Sequence, residues 1–269
     1  TRYGWDLPGA LVAGDEAFRL YVQHQQNRVP LSPRARASAY VAKAEDVLAL
    51  GEPGSSAGGE QPKFLAERLP GPLSVLVKFS PPTSDATSQR IADLLWAEHL
   101  ALETLIALGH PAARSEVLSV RGRVFLEIQR FDRTTHGRRG VLSLFALDAA
   151  FVGELRSWSH TAAALVAQGR VPATTRDELR FRELFASFIA NSDQHGGNVS
   201  FFMHGTRIGD LCPTYDMSPM AYFPASGHVR DPAFRPPLPE PGDAVVWQSA
   251  CDAAVEFWQR LAAHDAVSR

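Results

Sequence analysis

Residues 191 to 198 read NSDQHGGN and place an aspartate and an asparagine, Asp193 and Asn198, five positions apart, with His195 and two glycines between them. That is the D-x-x-x-x-N spacing of a protein-kinase catalytic loop. In such a loop the carboxylate orients or accepts the proton of an attacking hydroxyl. The amide oxygen holds Mg2+ without adding negative charge. The chemistry then requires a second metal-binding carboxylate shortly downstream, because the ions bridge the β- and γ-phosphates. Asp216, in TYDMSP, stands there, behind a segment that reads as a hairpin. Asp193 and Asn198 alone would be explained as well by a helix cap and a turn. Asp216 behind its hairpin decides for the loop.

Two further residues belong to the same chemistry. Lys78 lies in the β-type run SVLVKF and is suited to hold the α- and β-phosphates. Glu98 follows on the next helical segment, where it could pair with that lysine. Upstream, SSAGGEQPKF collects the small residues Ser55, Ser56, Ala57, Gly58 and Gly59, which let backbone N–H groups approach phosphate oxygens. It is neither G-x-G-x-x-G nor a Walker motif, so a flexible turn explains it equally well on its own. Order carries the reading: small-residue loop, strand lysine, helix glutamate, strand pair, helices, D-x-x-x-x-N, hairpin, aspartate.

The elements that position these residues are legible in outline. Residues 15 to 50 read as two helical stretches, with Gly51 as a stop. KFLAE and SVLVKF, parted by RLPGPL, predict strand, turn and strand. ATSQRIADLLWAEHLALETLIALG has helical period and ends at Gly109, and RSEVLSV with RVFLEIQRF predicts a strand pair around Arg121-Gly122. Val141 to Ala190 reads as helical in pieces, with Thr175 and Glu178 at capping-box spacing. VSFFMHGTRIGDLC predicts a hairpin turning at His204-Gly205, DPAFRPPLPEPGD a loop, and AVVWQSACDAAVEFWQRLAAH a final helix. There is no internal repeat. These elements predict an α+β protein of two lobes: residues 1–130, strand-rich with the small-residue loop and Lys78, and residues 131–269, helical with the catalytic loop and Asp216.

The 269 residues suffice for one large or two-lobed domain, and their 45% apolar and 21% charged content is that of a globular chain. No uncharged apolar run approaches the roughly 18 residues of a membrane span. A formal net charge of -2 argues against nucleic-acid binding as the main task. Cys212 and Cys251 lack metal-type spacing and read as reduced thiols of a cytoplasmic protein. The chain begins at Thr1 without a methionine and is read as a fragment or a processed form, so a missing leader carries no weight.

Taken together, the motifs resemble the HipA family of bacterial serine/threonine kinases, toxins of two-gene toxin–antitoxin systems. The family's small-residue loop ending in lysine is matched by SSAGGEQPK, its strand lysine by Lys78 in VLVKF, and its ERFDR hinge by QRFDR from Gln129 to Arg133. Its DxHxxN loop is matched by DQHGGN and its YD metal site by Tyr215-Asp216, so the resemblance spans roughly residues 14 to 222. It implies a two-lobed kinase fold that uses ATP and Mg2+. Asp193 would be the catalytic base, Asn198 and Asp216 the metal ligands, and Lys78 the phosphate-holding lysine paired with Glu98. Gln129, Arg130 and Phe131 would form the adenine hinge. Ala57, Gly58, Gly59, His195 and Tyr215 would lie at the nucleotide. Ser55 or Ser56 would be autophosphorylated, silencing the kinase by setting negative charge where nucleotide phosphates belong. The resemblance further implies a protein substrate, an aminoacyl-tRNA synthetase being the substrate class of the family, and an antitoxin partner. The DNA-binding region of some relatives has no counterpart, so no direct nucleic-acid contact is expected. Gln129 departs from the family's glutamate, the serine–lysine loop is one residue longer, and the tail after Asp216 is short.

Three other readings stay open at this level. One is a lipid or small-molecule kinase, which shares a D-x-H-x-x-N-like loop. Another is a non-catalytic nucleotide-binding module acting through a partner. The third, a metal-dependent hydrolase using Asp193, His195 and Asp216, lacks a second clustered histidine.

Overall fold

In a computed structural model, residues 4–49, 61–71, 73–135 and 137–268 are described. Four antiparallel strands make the principal sheet: β1 (Lys63–Arg68), β2 (Leu73–Phe79), β3 (Ser115–Val120) and β4 (Arg123–Gln129), in the order β1-β2-β4-β3. Strand β4 shows why it is central. Its alternating side chains serve opposite faces, Phe125 joining one apolar cluster while Val124, Leu126 and Ile128 join another. Two helices precede the sheet, α1 (Asp15–Gln26) and α2 (Pro33–Ala49). Tyr40, Val41 and Ala44 of α2 pack on the Phe125 face, against Phe64, Val77 and Phe79. The other face is covered by α3 (Ala86–Ala107) through Ala92 and Leu95.

Helix α3 is apolar over more than one stripe, and it is buried on more than one side. Its first half covers the sheet. From Ala97 to Leu105 it enters the largest core, which is built by helices. These are α4 (Leu144–Phe151), α5 (Trp158–Ala167), α6 (Ala173–Phe188) and α7 (Trp247–Ala263). Phe181, Leu184 and Phe185 of α6 meet Phe257 of α7 there. The capping box at the start of α3 is complete: the Asp85 carboxylate accepts from Ser88 N–H, and the Ser88 hydroxyl accepts from Asp85 N–H.

The expected α+β class and the strand-rich and helical halves are present. Three local expectations are corrected. Residues 140–143 are not helical. They form β7 (Gly140–Ser143), which pairs with the hairpin of β8 (Ser200–His204) and β9 (Arg207–Leu211). Gly140 allows the close approach, since a Cβ there would stand 3.1 Å from that of Met203. Thr175 and Glu178 form no capping box, because α6 starts at Ala173, with Pro172 before it. The Glu178 carboxylate instead accepts from Arg182 Nε at 2.7 Å and faces His110 Nδ1 at 3.0 Å. Finally, QRFDR does not run straight into the helical half but into a two-stranded hairpin, β5 (Arg133–Thr134) and β6 (Gly137–Arg138).

That hairpin anchors the start of the described chain. Asp132, buried behind it, accepts from Arg130 Nη2 at 2.9 Å, Arg133 Nη1 at 2.8 Å and the N–H of Gly9 at 2.7 Å. Asp6 accepts from Arg130 at 3.0 Å and Arg133 at 2.6 Å, and Arg133 and Arg138 also donate to the carbonyls of Leu7, Gly9 and Trp5. Gly9 has φ +70°, and a Cβ there would lie 2.8 Å from Val141 N, so no other residue fits. We expect Asp132→Asn to cost about 3 kcal/mol in chemical denaturation, because it leaves Arg130 and Arg133 buried with half their counter-charge. The same variant should become cleavable within residues 5–11 under limited proteolysis.

Candidate active site

The site is assembled from four elements that meet in a cleft between the sheet and the helical core. Strand β2 presents Lys78, which is buried at 8% exposure. Helix α3 brings Glu98, exposed by only 1%, and the Lys78 ammonium donates to both Glu98 carboxylate oxygens at 2.7 Å. The loop after β9 brings Asp216, whose Oδ1 accepts from the same ammonium at 2.6 Å. Residues 78, 98 and 216, separated by up to 138 positions, therefore share one ion cluster. Burial opposes the Lys78 charge, but Asp216 and Glu98 outweigh it and hold its pKa above the usual lysine value. Burial pushes the Glu98 carboxyl up, against the pull of Lys78. Burial also works on Asp216, yet Lys78 beside it keeps its carboxyl below the ordinary range, so it is a carboxylate at neutral pH.

Asp216 has φ +52°, a left-handed conformation outside glycine's usual territory. Strain of this kind persists only where the surroundings fix it, and it gathers at functional sites. Here Tyr215 supplies the fixing. Its hydroxyl donates to the Gly197 carbonyl at 2.9 Å and lies 2.7 Å from Ser200 Oγ, and its ring packs on Phe131. The residue before Asp216 is thus tied to the catalytic-loop segment and to the hinge segment at once.

The NSDQHGGN stretch follows α6, which ends as Ala190 turns left-handed at φ +59°. Asn191, buried, accepts the Asp193 N–H on its side-chain oxygen at 2.9 Å. Asn198 Nδ2 donates to the Asp193 carbonyl at 2.9 Å, leaving the amide oxygen of Asn198 as the group available to a cation. His195 Nδ1 accepts the N–H of Gly197 at 3.0 Å, which places the ring proton on Nε2, the atom 3.6 Å from Asp193 Oδ1. The indole N–H of Trp158 donates to the His195 carbonyl at 3.0 Å, and the Trp158 N–H is itself held by the Glu183 carboxylate. Sequence reading missed Trp158 and Glu183, since nothing local joins α5 and α6 to the loop.

Gly196 is required by the backbone beside it, whereas a side chain at Gly197 would have to displace the exposed His195 ring. A Cβ on Gly196 would stand 2.9 Å from the backbone nitrogen of Phe145, and one on Gly197 would stand 2.8 Å from the His195 ring. By contrast, among the described residues the Asp193 carboxylate pairs with His195 alone, and it is half exposed. It is held in place through its backbone while its side chain stays open.

Asp193, His195, Asn198, Asp216, Lys78 and Glu98 all line one polar chamber of about 410 Å³. Lys63 and Asp216 also line an adjoining, largely apolar cavity of about 750 Å³. Leu76, Ile128, Gln129, Phe131, Val141 and Tyr215 contribute to its walls. The pair has the shape a nucleotide needs, a slot for a flat apolar ring system opening onto a charged chamber. Of the hinge residues, Gln129 and Arg130 direct their N–H groups to the carbonyls of Arg114 and Ser74. The Arg130 side chain is engaged with Asp132 and Asp6. Leu7, Pro8 and Leu11, held by the QRFDR anchor, form part of the cavity wall. Ser55, Ser56, Ala57, Gly58 and Gly59 lie outside the described residues.

The donor set fits Mg2+. Asn198 and Asp216 offer hard oxygen ligands on one chamber, and Mg2+ takes one or two such protein groups together with phosphate oxygens and water. Among the described residues no cluster of three or more His, Cys, Asp or Glu side chains could hold a metal. Cys212 is buried and its thiol is pushed up to about 12, so it is no nucleophile. Among the described residues no helix is long and apolar enough to cross a membrane.

Carboxylates elsewhere fix the acid limit of the fold. Burial works against the charge of Asp148, but the Thr161 hydroxyl and the N–H groups of Leu155, Glu154 and Gly153 overcome it and lower its pKa. Asp132 is likewise lowered despite burial, by Arg130, Arg133 and Gly9. A group whose pKa is lower in the folded state binds its proton more readily when unfolded. Stability is therefore complete above the ordinary carboxylate value of about 4 and is lost as pH falls through the lowered folded values. Thermal unfolding followed from pH 7 to pH 3 is expected to show a level midpoint down to about pH 5 and a steep fall below pH 4.

Comparison with known proteins bears on the family and the fold. The family described as the HipA-like C-terminal domain matches residues 55–243. The chain is 36% identical over 274 residues to Toxin YjjJ of Escherichia coli (strain K12), with all of this chain and 61% of that protein aligned. It thus spans about three fifths of the length of that relative. Among solved structures it resembles the HipA, HipB and operator DNA complex of the Shewanella oneidensis MR-1 toxin–antitoxin system. The TM-score is 0.56 at 18% identity, over 96% of this chain and 68% of the other. It also aligns with the Helicobacter pylori proinflammatory kinase CtkA, at TM-score 0.45 and 15% identity over 75% of this chain and 65% of the other. The two-lobed, kinase-like α+β fold read from the motif order is the one found. With the family match covering most of its length and the relative aligned across all of it, the chain belongs to the HipA-like C-terminal domain family.

Proposed function

We propose that this protein is a serine/threonine protein kinase that transfers the γ-phosphate of ATP to a protein hydroxyl, and that it acts as the toxin of a toxin–antitoxin pair. The observation that carries the reading is the Lys78–Glu98–Asp216 cluster, which shares one chamber with the open carboxylate of Asp193 and the amide of Asn198. We assign the lobe boundary to the hinge, with residues 1–130 before it and 131–269 after it.

In this reading the adenine occupies the apolar cavity beside Gln129 and Phe131, and Lys78 contacts the α- and β-phosphates. Glu98 keeps Lys78 charged and aimed. When bound at Asn198 and Asp216, Mg2+ supplies charge neutralisation at the phosphates. Asp193 accepts the acceptor's hydroxyl proton as its oxygen bonds to the γ-phosphorus and the bond to the ADP oxygen breaks. His195, which caps the loop turn and faces Asp193, keeps that carboxylate in register. Tyr215 holds Asp216 and the loop together.

The protein target assigned by family likeness is in the translation machinery, an aminoacyl-tRNA synthetase. The antitoxin partner is assigned by likeness to a HipA that was solved with HipB. Autophosphorylation of Ser55 or Ser56 would silence the enzyme by setting close to two negative charges where the nucleotide's phosphates belong. The net charge of -2 speaks against a lipid acceptor at an anionic membrane surface, and the free thiols Cys212 and Cys251 suit a cytoplasmic site of action.

Fractionation of a cell extract labelled with γ-phosphate tests the acceptor class. Label on serine or threonine of a protein is the expected result. Label confined to lipids or small molecules would move the assignment to another kinase class. Mass spectrometry of the purified protein should find phosphate on Ser55 or Ser56, and phosphate only elsewhere would remove the loop switch.

A further inference from the structure

A second cavity, of about 280 Å³, is walled by residues of α1, α2, β1, β2 and the β5–β6 hairpin. Five cationic side chains line it, Arg28, Lys43, Arg130, Arg133 and Arg138, against two carboxylates, Asp6 and Glu67. The acids are already shared. Asp6 serves Arg130, Arg133 and, at 3.6 Å, Arg138, while Glu67 serves Arg28 at 3.1 Å and His24 at 3.5 Å. Adding Asp132, which pairs with Arg130 and Arg133, still leaves three carboxylates for five cations.

The surplus is visible at the atoms. Nε of Arg28 and Nε of Arg138 are buried with no hydrogen-bond partner among the described residues, although the Arg138 side chain is only 7% exposed. Buried guanidinium donors are costly to leave unmade. Burial and the neighbouring Arg133 also lower the pKa of Arg138, as excess positive charge in a closed space must. Glu67 Oε2 is the one unpartnered acceptor of the group, and it calls for a donor. A partly protonated phosphate answers both demands, with oxygens for the guanidinium forks and a hydroxyl for Glu67.

We propose that this cavity binds a small phosphoanion of about the size of pyrophosphate. The confined volume favours a free anion over a phosphorylated protein segment. The site is distinct from the nucleotide cleft, although Asp6, Leu65 and Arg130 line both cavities. Such a site would bind its anion whether or not the protein is a kinase.

Calorimetric titration of the whole protein with inorganic pyrophosphate, without divalent cations, is the test. Val29 lines the cavity and is 85% exposed, so its replacement should not disturb folding. Val29→Glu is expected to weaken binding about fivefold through like-charge repulsion, and Val29→Lys is expected not to weaken it. Arg28→Gln should weaken it about tenfold. Asn198→Asp, which adds a carboxylate to the polar chamber instead, should leave it unchanged. The proposal is overturned if the Val29 and Arg28 variants bind as the parent does, or if only Asn198→Asp loses affinity. Weak binding that salt abolishes equally in every variant would mean an adventitious ion only, and would overturn it as well.

Discussion

Asp193→Asn is expected to lower phosphate transfer by about 10²- to 10⁴-fold while leaving the fold and nucleotide affinity close to unchanged. The expectation follows from how the residue is held. Its N–H is accepted by Asn191 and its carbonyl accepts from Asn198, so the backbone, not the side chain, builds the loop. The carboxylate is half exposed, and among the described residues its one ionic neighbour is His195 at 3.6 Å. An amide of the same shape fits there, and stability should move by no more than about 0.5 kcal/mol. What the amide cannot do is accept a proton. Single-turnover transfer from Mg-ATP, with calorimetric binding of the nucleotide in parallel, separates the two. Transfer at the parent rate would strip Asp193 of its role, whereas loss of nucleotide binding would show a role in the ground state.

Lys78→Met is expected to have the opposite profile, losing both activity and stability. Glu98 would be left at 1% exposure without the ammonium that satisfies both its oxygens. Breaking a buried pair from one side typically costs about 3–5 kcal/mol, because the stranded charge must be neutralised or hydrated. The double variant Lys78→Met with Glu98→Leu replaces the pair by apolar groups, so most of the stability should return. Activity should not return, since no cation would meet the phosphates. Denaturation and transfer measured on the single and double variants would give this split. Recovered transfer in the double variant would show that Lys78 serves the fold alone.

The candidate site residues could be picked out in the sequence because kinase-like chemistry imposes an order along the chain as well as a spacing within one loop. Asp193 with Asn198 is a local pattern, and Lys78 sits on a strand that its β-branched neighbours announce. Glu98 could be placed only by its order after that strand, and the structure supplies what order could not, both oxygens on Lys78. The roles of Trp158 and Glu183 were invisible, since they support the loop from other helices, and Asn191 lies in the loop with a side-chain role that no spacing announces. So was the anchor formed by Asp6 and the arginines of QRFDR, which joins residues more than 120 positions apart. In the sequence that motif reads as hinge, and much of its charge proves to hold the chain's first described residues. The missed strand β7 has the same cause. Val141 and Leu142 are apolar in any reading, and only pairing with β8 makes them a strand.

The central claim is that the Lys78, Asp193, Asn198 and Asp216 constellation transfers a phosphoryl group. Incubation of the protein with Mg-ATP carrying a labelled γ-phosphate, in the presence of cell extract and beside its Asp193→Asn variant, measures that directly. The account predicts label transferred to the protein itself or to an extract component by the parent and almost none by the variant. Equal labelling by the two, or no transfer by a parent that binds nucleotide, would contradict it.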